Sequence, residues 1–235
     1  MHTKMQQEVW VVLAFLLTAT ALIAYTGADL TVSSYFYQSG GWPVGELFPW
    51  KLLYRMVRYP AFALTIFGLC AAIYGSFKPK WRPWRCQGIF LVLLLALGPG
   101  LMVNAVFKDH WGRPRPRDIV EFGGTRQFHQ PWQPDINGTG RSFPCGHGSA
   151  AFYLMAPFFI YRRTKPAVAR RWLAGGLVFG LLMSYARIAQ GGHFLSDVLW
   201  AWGMVHLTAL VLSALLLSQR GSVVYSNITG EVQEI

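Results

Sequence analysis

Apolar positions along this chain gather into six long runs, not into alternating strands or narrow amphipathic stripes. The runs cover Val9–Tyr25, Pro60–Phe77, Gly88–Phe107, Gly148–Tyr161, Trp172–Ala189 and Val198–Leu217. Most approach the roughly 20 residues that a helix needs to cross a hydrocarbon core of about 30 Å. The fourth is short and is expected to begin slightly earlier, within Cys145–His147. In lipid, backbone polar groups must be satisfied internally, so only helices and closed barrels span. An unbroken apolar run lacks the alternation of a barrel strand. The pattern therefore predicts an all-α bundle of six transmembrane helices.

The segments between the runs refine this picture. Lys51, Arg55 and Arg58 recur at helical spacing among Phe48, Trp50, Leu52, Leu53, Met56 and Val57. That spacing predicts a basic amphipathic helix between spans one and two, read as an interfacial anchor in preference to a substrate-binding element. Ala19-Thr20-Ala21 imitates a signal-peptidase site. The apolar run continues past it, and only Lys4, opposed by Glu8, precedes it, so the first run reads as a retained anchor. Residues 1–235 read as one integral-membrane domain, with a solvated tail over 218–235.

Composition excludes most other classes. Apolar residues make up 53% of the chain and charged residues 13%, against about 25% charged in an average soluble domain. Too little polar surface remains to cover a soluble enzyme. The net charge of +11 raises the question of nucleic acid, but the basic residues lie between apolar runs and form no solvated basic face. Anionic lipid leaflets and a phosphorylated substrate fit them better. Cys70, Cys86 and Cys145 have no metal-site spacing. The positive-inside rule alone leaves orientation tied. Eleven basic residues, including Lys78, Lys80, Arg162, Arg163 and Arg220, fall on one side of a six-span arrangement, and ten on the other.

Candidate chemistry sits in three clusters at span ends. Lys108-Asp-His-Trp-Gly-Arg-Pro-Arg115-Pro116 follows span three, and Phe143-Pro-Cys145-Gly146-His147-Gly-Ser149 leads into span four. Arg187-Ile-Ala-Gln-Gly-Gly-His193-Phe-Leu-Ser-Asp197 joins spans five and six. In the six-span arrangement all three meet at one face, and ionisable groups at membrane depth are costly enough to mark function. His193 and Asp197 are four apart, one helical turn. A carboxylate taking the proton of one imidazole nitrogen leaves the other free to attack. Arg187 can fold back over the Gly191-Gly192 bend, and its planar fork suits phosphate oxygens. Lys108 and Arg115 add positive charge, and Gly146 and His147 open a helix whose free N–H groups suit an anion. Such a set is suited to phosphoryl transfer.

Lys108-x6-Arg115-Pro116, Pro144-Cys145-Gly146-His147 and Arg187-x5-His193-x3-Asp197 resemble, in order and spacing, the three motifs of the type 2 phosphatidic acid phosphatase superfamily, which includes vanadium haloperoxidases. The resemblance spans roughly residues 100–200. It implies a six-helix membrane phosphatase that works without metal or other cofactor, its site at the outer or lumenal face. It also breaks the orientation tie, because seven of the ten basic residues on that side lie in or between the motifs. Carried onto this chain, it makes His193 the nucleophile that forms a phosphohistidine, oriented by Asp197. His147 becomes the acid that protonates the leaving oxygen and then the base that activates water. Lys108, Arg115 and Arg187 hold the phosphate, with Cys145 and Gly146 beside it. His110, Arg113 and Arg117 stand as helpers or surface positions.

Two positions depart from the family pattern: Cys145 and Ala186 stand where it usually has serine. A thiol donates a hydrogen bond poorly, so side-chain help from position 145 is weakened while the backbone N–H groups remain. Cys145 as the nucleophile would need an Arg six positions on, and position 151 is Ala. The expected substrate is a phosphorylated amphiphile: isoprenyl diphosphate, phosphatidic acid, phosphatidylglycerol phosphate or a lipid A phosphate. The alternatives are a lipid-to-lipid phosphotransferase and, from another class, a membrane transporter or binding protein. A metal site of His147, His193 and Asp197 is disfavoured by the surrounding cations. The compact chain suggests a bacterial inner membrane with the site facing the periplasm. The long segment Arg117–Phe143 is expected to cover the site and select the head group.

Overall fold

The structure, a computed structural model, describes residues 2–217. The predicted tail over 218–235 and Arg220 lie outside them. Among the described residues the chain is helical and forms no strand.

Helix α1 (His2–Thr26) is followed by a short α2 (Ala28–Ser34). A 3-10 turn at Pro43–Glu46 leads into α3 (Phe48–Met56), which passes through the buried Val57 into α4 (Arg58–Phe77). Helix α5 (Arg85–Leu95) continues as a π-helical stretch over Ala96–Lys108. Helices α6 (Gly146–Phe152) and α7 (Ala156–Tyr161) flank a 3-10 turn, Tyr153–Met155. Two long helices, α8 (Pro166–Ala189) and α9 (Leu195–Leu216), complete the bundle.

Among the described residues, five segments are long and apolar enough to cross a membrane: Lys4–Thr26, Phe48–Phe77, Pro79–Lys108, Pro166–Ala189 and Leu195–Leu216. Many of their large apolar side chains face outward, Trp10, Leu17, Leu22, Ile66 and Leu181 among them. In water that surface would drive aggregation, whereas against lipid tails it is the matched surface. The protein is an integral membrane protein. The expected fourth span differs from the other five. Pro157 lacks an N–H for the helical ladder, and the segment from Gly146 to Tyr161 is broken into two short helices around a 3-10 turn.

This broken segment is nonetheless central. Tyr153, Ala156 and Phe159 pack with Phe90, Leu94 and Leu210 in the largest buried cluster. The hydroxyl of Tyr153 donates to the Leu91 carbonyl at 3.0 Å and accepts from Thr65 Oγ1 at 3.0 Å. A buried phenol left unpaired there would be destabilising. With α6 and α7 held between α4, α5, α8 and α9, the start of α6 is fixed at one end of the bundle. The π-helical stretch ends beside it. Pro99 has no N–H to give, and Asn104 Nδ2 donates to the Pro99 carbonyl at 2.6 Å. Such wide turns concentrate at functional sites, and this one delivers Lys108.

Candidate active site

A cavity of about 340 Å³ opens at this end of the bundle. Its walls include Lys108, Arg115, His147, Arg187 and His193, together with Lys51, Tyr54, Arg55 and Arg117. Five residues singled out from the three sequence clusters thus share one pocket. The other three stand differently. Asp197 is buried behind His193, Gly146 lines an adjoining pocket, and Cys145 is buried beneath the helix start.

His193 is held from behind. Its Nδ1 lies 2.6 Å from the Ser142 carbonyl. A carbonyl can only accept, so Nδ1 carries the proton and Nε2 keeps its lone pair. Asp197 Oδ2 lies 3.6 Å from Nδ1, beyond hydrogen-bond reach. Asp197 thus stands behind the imidazole as an ion-pair neighbour, while the short hydrogen bond of Nδ1 goes to the Ser142 carbonyl. The carboxylate accepts from Ser142 Oγ and, at 2.8 Å, from the Phe194 N–H, so it fixes the groups on either side of the imidazole. Burial, with Arg187 and Lys108 nearby, outweighs Asp197 and pushes His193 down to about 3. The ring is neutral at ordinary pH.

Arg113, a helper or surface position in the sequence reading, is fully buried. Nη1 donates to Asp197 Oδ1 and to Ser196 Oγ, Nη2 to Asp29 Oδ2 at 2.8 Å, and Nε to the His129 carbonyl at 2.8 Å. Phe194 lies beneath its guanidinium at 4.5 Å. Asp29, absent from the sequence reading, also accepts from the Ser196 N–H and hydroxyl. Asp29, Arg113, Ser196, Asp197 and Ser142 form one satisfied network behind the imidazole.

In front, His147 stacks on Tyr54 with ring centroids 4.5 Å apart. Arg187 lies over the same Tyr54 ring at 4.8 Å and donates to Gln190 Oε1. His147 lies outside the five spanning segments. Burial and the neighbouring Arg187 and Lys108 push it down to about 3. The Nε atoms of Arg115 and Arg187 are buried with no hydrogen-bond partner among the described residues. The bend after α8 works as expected: Gly191 has φ +60° beneath Trp42, and the Arg187 guanidinium lies directly against Gly192, where a side chain would displace it. Gly146 has the same relation to Lys108. A Cβ there would fall 2.6 Å from Asn104 Oδ1 and 3.0 Å from Lys108 Nζ.

Cys145 caps α6, its Sγ accepting from the Gly148 N–H at 3.3 Å. Burial pushes the thiol up, away from a nucleophilic thiolate. Helix α3 forms where amphipathic spacing predicted a helix, yet Lys51, Tyr54 and Arg55 face the pocket, and Lys51 pairs with Glu46 at 2.6 Å. The preference for a mere anchor is thereby revised. The segment 117–143 is packed against the site: Phe128 lies on Phe194, His129 holds Arg113, and Pro131 accepts from Trp111 Nε1 at 2.9 Å.

Beside the cationic cavity lies a larger, mostly apolar one of about 590 Å³. Phe62, Val92, Leu95, Ala96 and Pro99 line it, and it shares Lys108 and His147 with the first.

Comparison with known proteins gives four findings. Residues 88–220 match the model of the PAP2 superfamily. A lipid A 4'-phosphatase from Francisella tularensis subsp. novicida is 37% identical over 159 residues, covering 65% of this chain and 67% of that protein. A lipid A 4'-phosphatase from Rhizobium leguminosarum is 29% identical over 215 residues, covering 83% and 88% respectively. Among solved structures, a transmembrane PAP2-type phosphatidylglycerolphosphate phosphatase from Bacillus subtilis has the same fold. Its TM-score is 0.58 at 19% identity, over 88% of this chain and 94% of that one.

Proposed function

The chain belongs to the PAP2 superfamily and is a membrane lipid phosphatase of that type; from that premise we propose that it removes a phosphate from lipid A, with His193 as the nucleophile. The observation that carries the reading is the junction of two cavities. A cationic pocket with ample room for a phosphate shares Lys108 and His147 with an apolar one suited to the lipid part of the same molecule. The lipid A preference rests on the two relatives named above.

In the reaction, Nε2 of the neutral His193 attacks phosphorus while Nδ1–H stays on the Ser142 carbonyl. The bond from phosphorus to the lipid oxygen breaks, and His147 gives that oxygen its proton. Water then attacks the phosphohistidine, His147 takes the water's proton, and inorganic phosphate leaves. Lys108, Arg115 and Arg187 stabilise the charge that develops on the phosphoryl oxygens. Asp197 and Arg113 act by fixing His193. The described residues form one phosphatase domain, and the bundle sits in a bacterial inner membrane with the pocket facing the periplasm. The basic residues of the Lys78–Arg85 and Arg162–Arg171 segments then lie on the cytoplasmic side.

The test is phosphate release from purified protein in detergent, with lipid A and phosphatidic acid as substrates and His193→Ala as the control. The wild type should release phosphate from lipid A faster. Brief exposure to radiolabelled lipid should leave an acid-labile, base-stable label on the wild type and none on His193→Ala. Equal turnover by the two proteins would remove His193 as the nucleophile.

A further inference from the structure

A second cavity, also about 340 Å³, adjoins the first and shares Arg115 and Arg117 with it. Arg126, Arg141, Asp118 and Thr139 complete its polar wall. Four guanidiniums thus face one carboxylate around a single space. Two of the four have limited compensation: Arg126 donates to the neutral Thr139 hydroxyl, and Arg117 lies 4.0 Å from Asp118. Arg141 pairs with Asp109, outside the lining. Gathering like charges in this way is unfavourable unless an anion joins them.

The walls are rigidly mounted. The Val120 N–H donates to the Arg126 carbonyl at 2.9 Å, and the Arg126 N–H to the Asp118 carbonyl at 3.0 Å. The turn they close is anchored below by buried Ile119 and Phe122. The guanidiniums are therefore presented by a folded platform, one pocket away from His193.

We propose that this cavity is a second anion subsite for the substrate itself, taking a phosphate or carboxylate of the same head group that presents its scissile phosphate to His193. Arg115 and Arg117 bridge the two anions. The proposal rests on the lipid phosphatase reading above and narrows it to head groups with at least two anionic groups. Arg126 and Arg141 are specificity residues here, remote from the reacting phosphorus.

The experiment compares a disaccharide lipid phosphorylated at both ends with the same lipid carrying only the phosphate to be removed. Wild type, Arg126→Gln and Arg141→Gln are assayed on both, with thermal unfolding of each protein as a folding control. For the doubly phosphorylated lipid, KM should rise about tenfold in each variant, the scale of one lost charge-assisted hydrogen bond, while kcat stays within about twofold. For the singly phosphorylated lipid, both constants should stay within about twofold. Equal losses on the two lipids in both folded variants, or no loss on either, would overturn the subsite. A change confined to inhibition by inorganic phosphate would overturn it too, marking an exit site for product. A wild type inactive on both lipids would instead refute the lipid A reading, and the subsite with it.

Discussion

Behind His193, Arg113 is clamped between Asp29 and Asp197, with a hydroxyl and a carbonyl taking two more of its donors. In front of it, Lys108, Arg115 and Arg187 form none of the side-chain ion pairs found among the described residues. Arg187 rests instead on the Tyr54 ring and the Gln190 amide. Basic side chains are thus used in two ways on the two sides of one imidazole. A charge held between two carboxylates, a hydroxyl and a carbonyl is fixed in place and helps to hold its surroundings. A charge propped by neutral groups keeps donors in reserve, and its attraction is available to an incoming phosphate. Substitutions on the two sides should separate stability from catalysis.

The largest expected effect is at the clamped side. Arg113→Ala strands two buried carboxylates, and breaking such a pair costs about 3–5 kcal/mol. At about 2–4 °C per kcal/mol for a chain of this size, the midpoint of thermal unfolding in detergent should fall by roughly 10 °C, and activity with it. Arg113→Lys should recover little, because one ammonium cannot reach Asp29, Asp197, Ser196 and the His129 carbonyl together. An unchanged midpoint would mean that the network is not structural. On the open side, Arg187→Ala should lower kcat by about 10²–10³, the scale of one lost transition-state donor, with the midpoint within a few degrees of wild type. A loss of stability matching that of Arg113→Ala would erase the contrast.

The contrast also explains what could be read from the chain in advance. Apolar runs announced the long helices because spanning lipid demands continuous apolar length, and the pocket cations stood out because they fall in three short clusters that also carry His147, His193 and Asp197. The clamp was harder to see. Asp29 is one acid in a seven-residue helix, and its partner Arg113 lies 84 positions away. Its only signal was scarcity, in a chain with 10 acidic residues against 21 basic ones. The Ser142 carbonyl is a backbone group, and no side-chain pattern reports where a carbonyl points. Arg113 was ambiguous because Arg115 and Arg117 share its neighbourhood, and only burial separates them. Lys51 and Arg55 met the spacing rule for an interfacial helix just as well as for a pocket wall.

A smaller effect should appear on titration. Burial and the nearby Arg187 and Lys108 push both imidazoles down to about 3, so the free enzyme holds His193 and His147 neutral above about pH 4. His193 is ready to attack, but the proton that His147 gives to the leaving oxygen must arrive with the substrate. Phosphate monoesters lose their second proton near pH 6. Consequently kcat/KM, which reports free enzyme and free substrate, should fall about tenfold per pH unit above that point. A profile flat to pH 8 would show that His147 carries its proton before substrate binds. The same depression acts on stability with a definite sign. Between about pH 3 and the ordinary histidine value the unfolded chain binds more protons, so the folded state gains stability as pH rises through that window.

The smallest effect belongs to a residue that lies on neither side. Cys145 touches no phosphate-facing surface: it is fully buried, and its sulfur accepts the Gly148 N–H at the first turn of α6. Serine is among the best residues for that capping position, and its oxygen accepts an amide proton more strongly than sulfur does. Cys145→Ser should therefore leave activity within about threefold of wild type and hold or slightly raise the unfolding midpoint, by the fraction of a kcal/mol that separates a fair cap from a good one. The thiol also lies against Gly148, where an added Cβ would fall 3.2 Å from the sulfur. A serine hydroxyl, smaller than the thiol, relieves that region without crowding it. Activity lost by more than about a hundredfold in a folded Cys145→Ser protein would place the sulfur in the chemistry after all. It would then be the front of the pocket, with its reserve of unpaired donors, that had been misread.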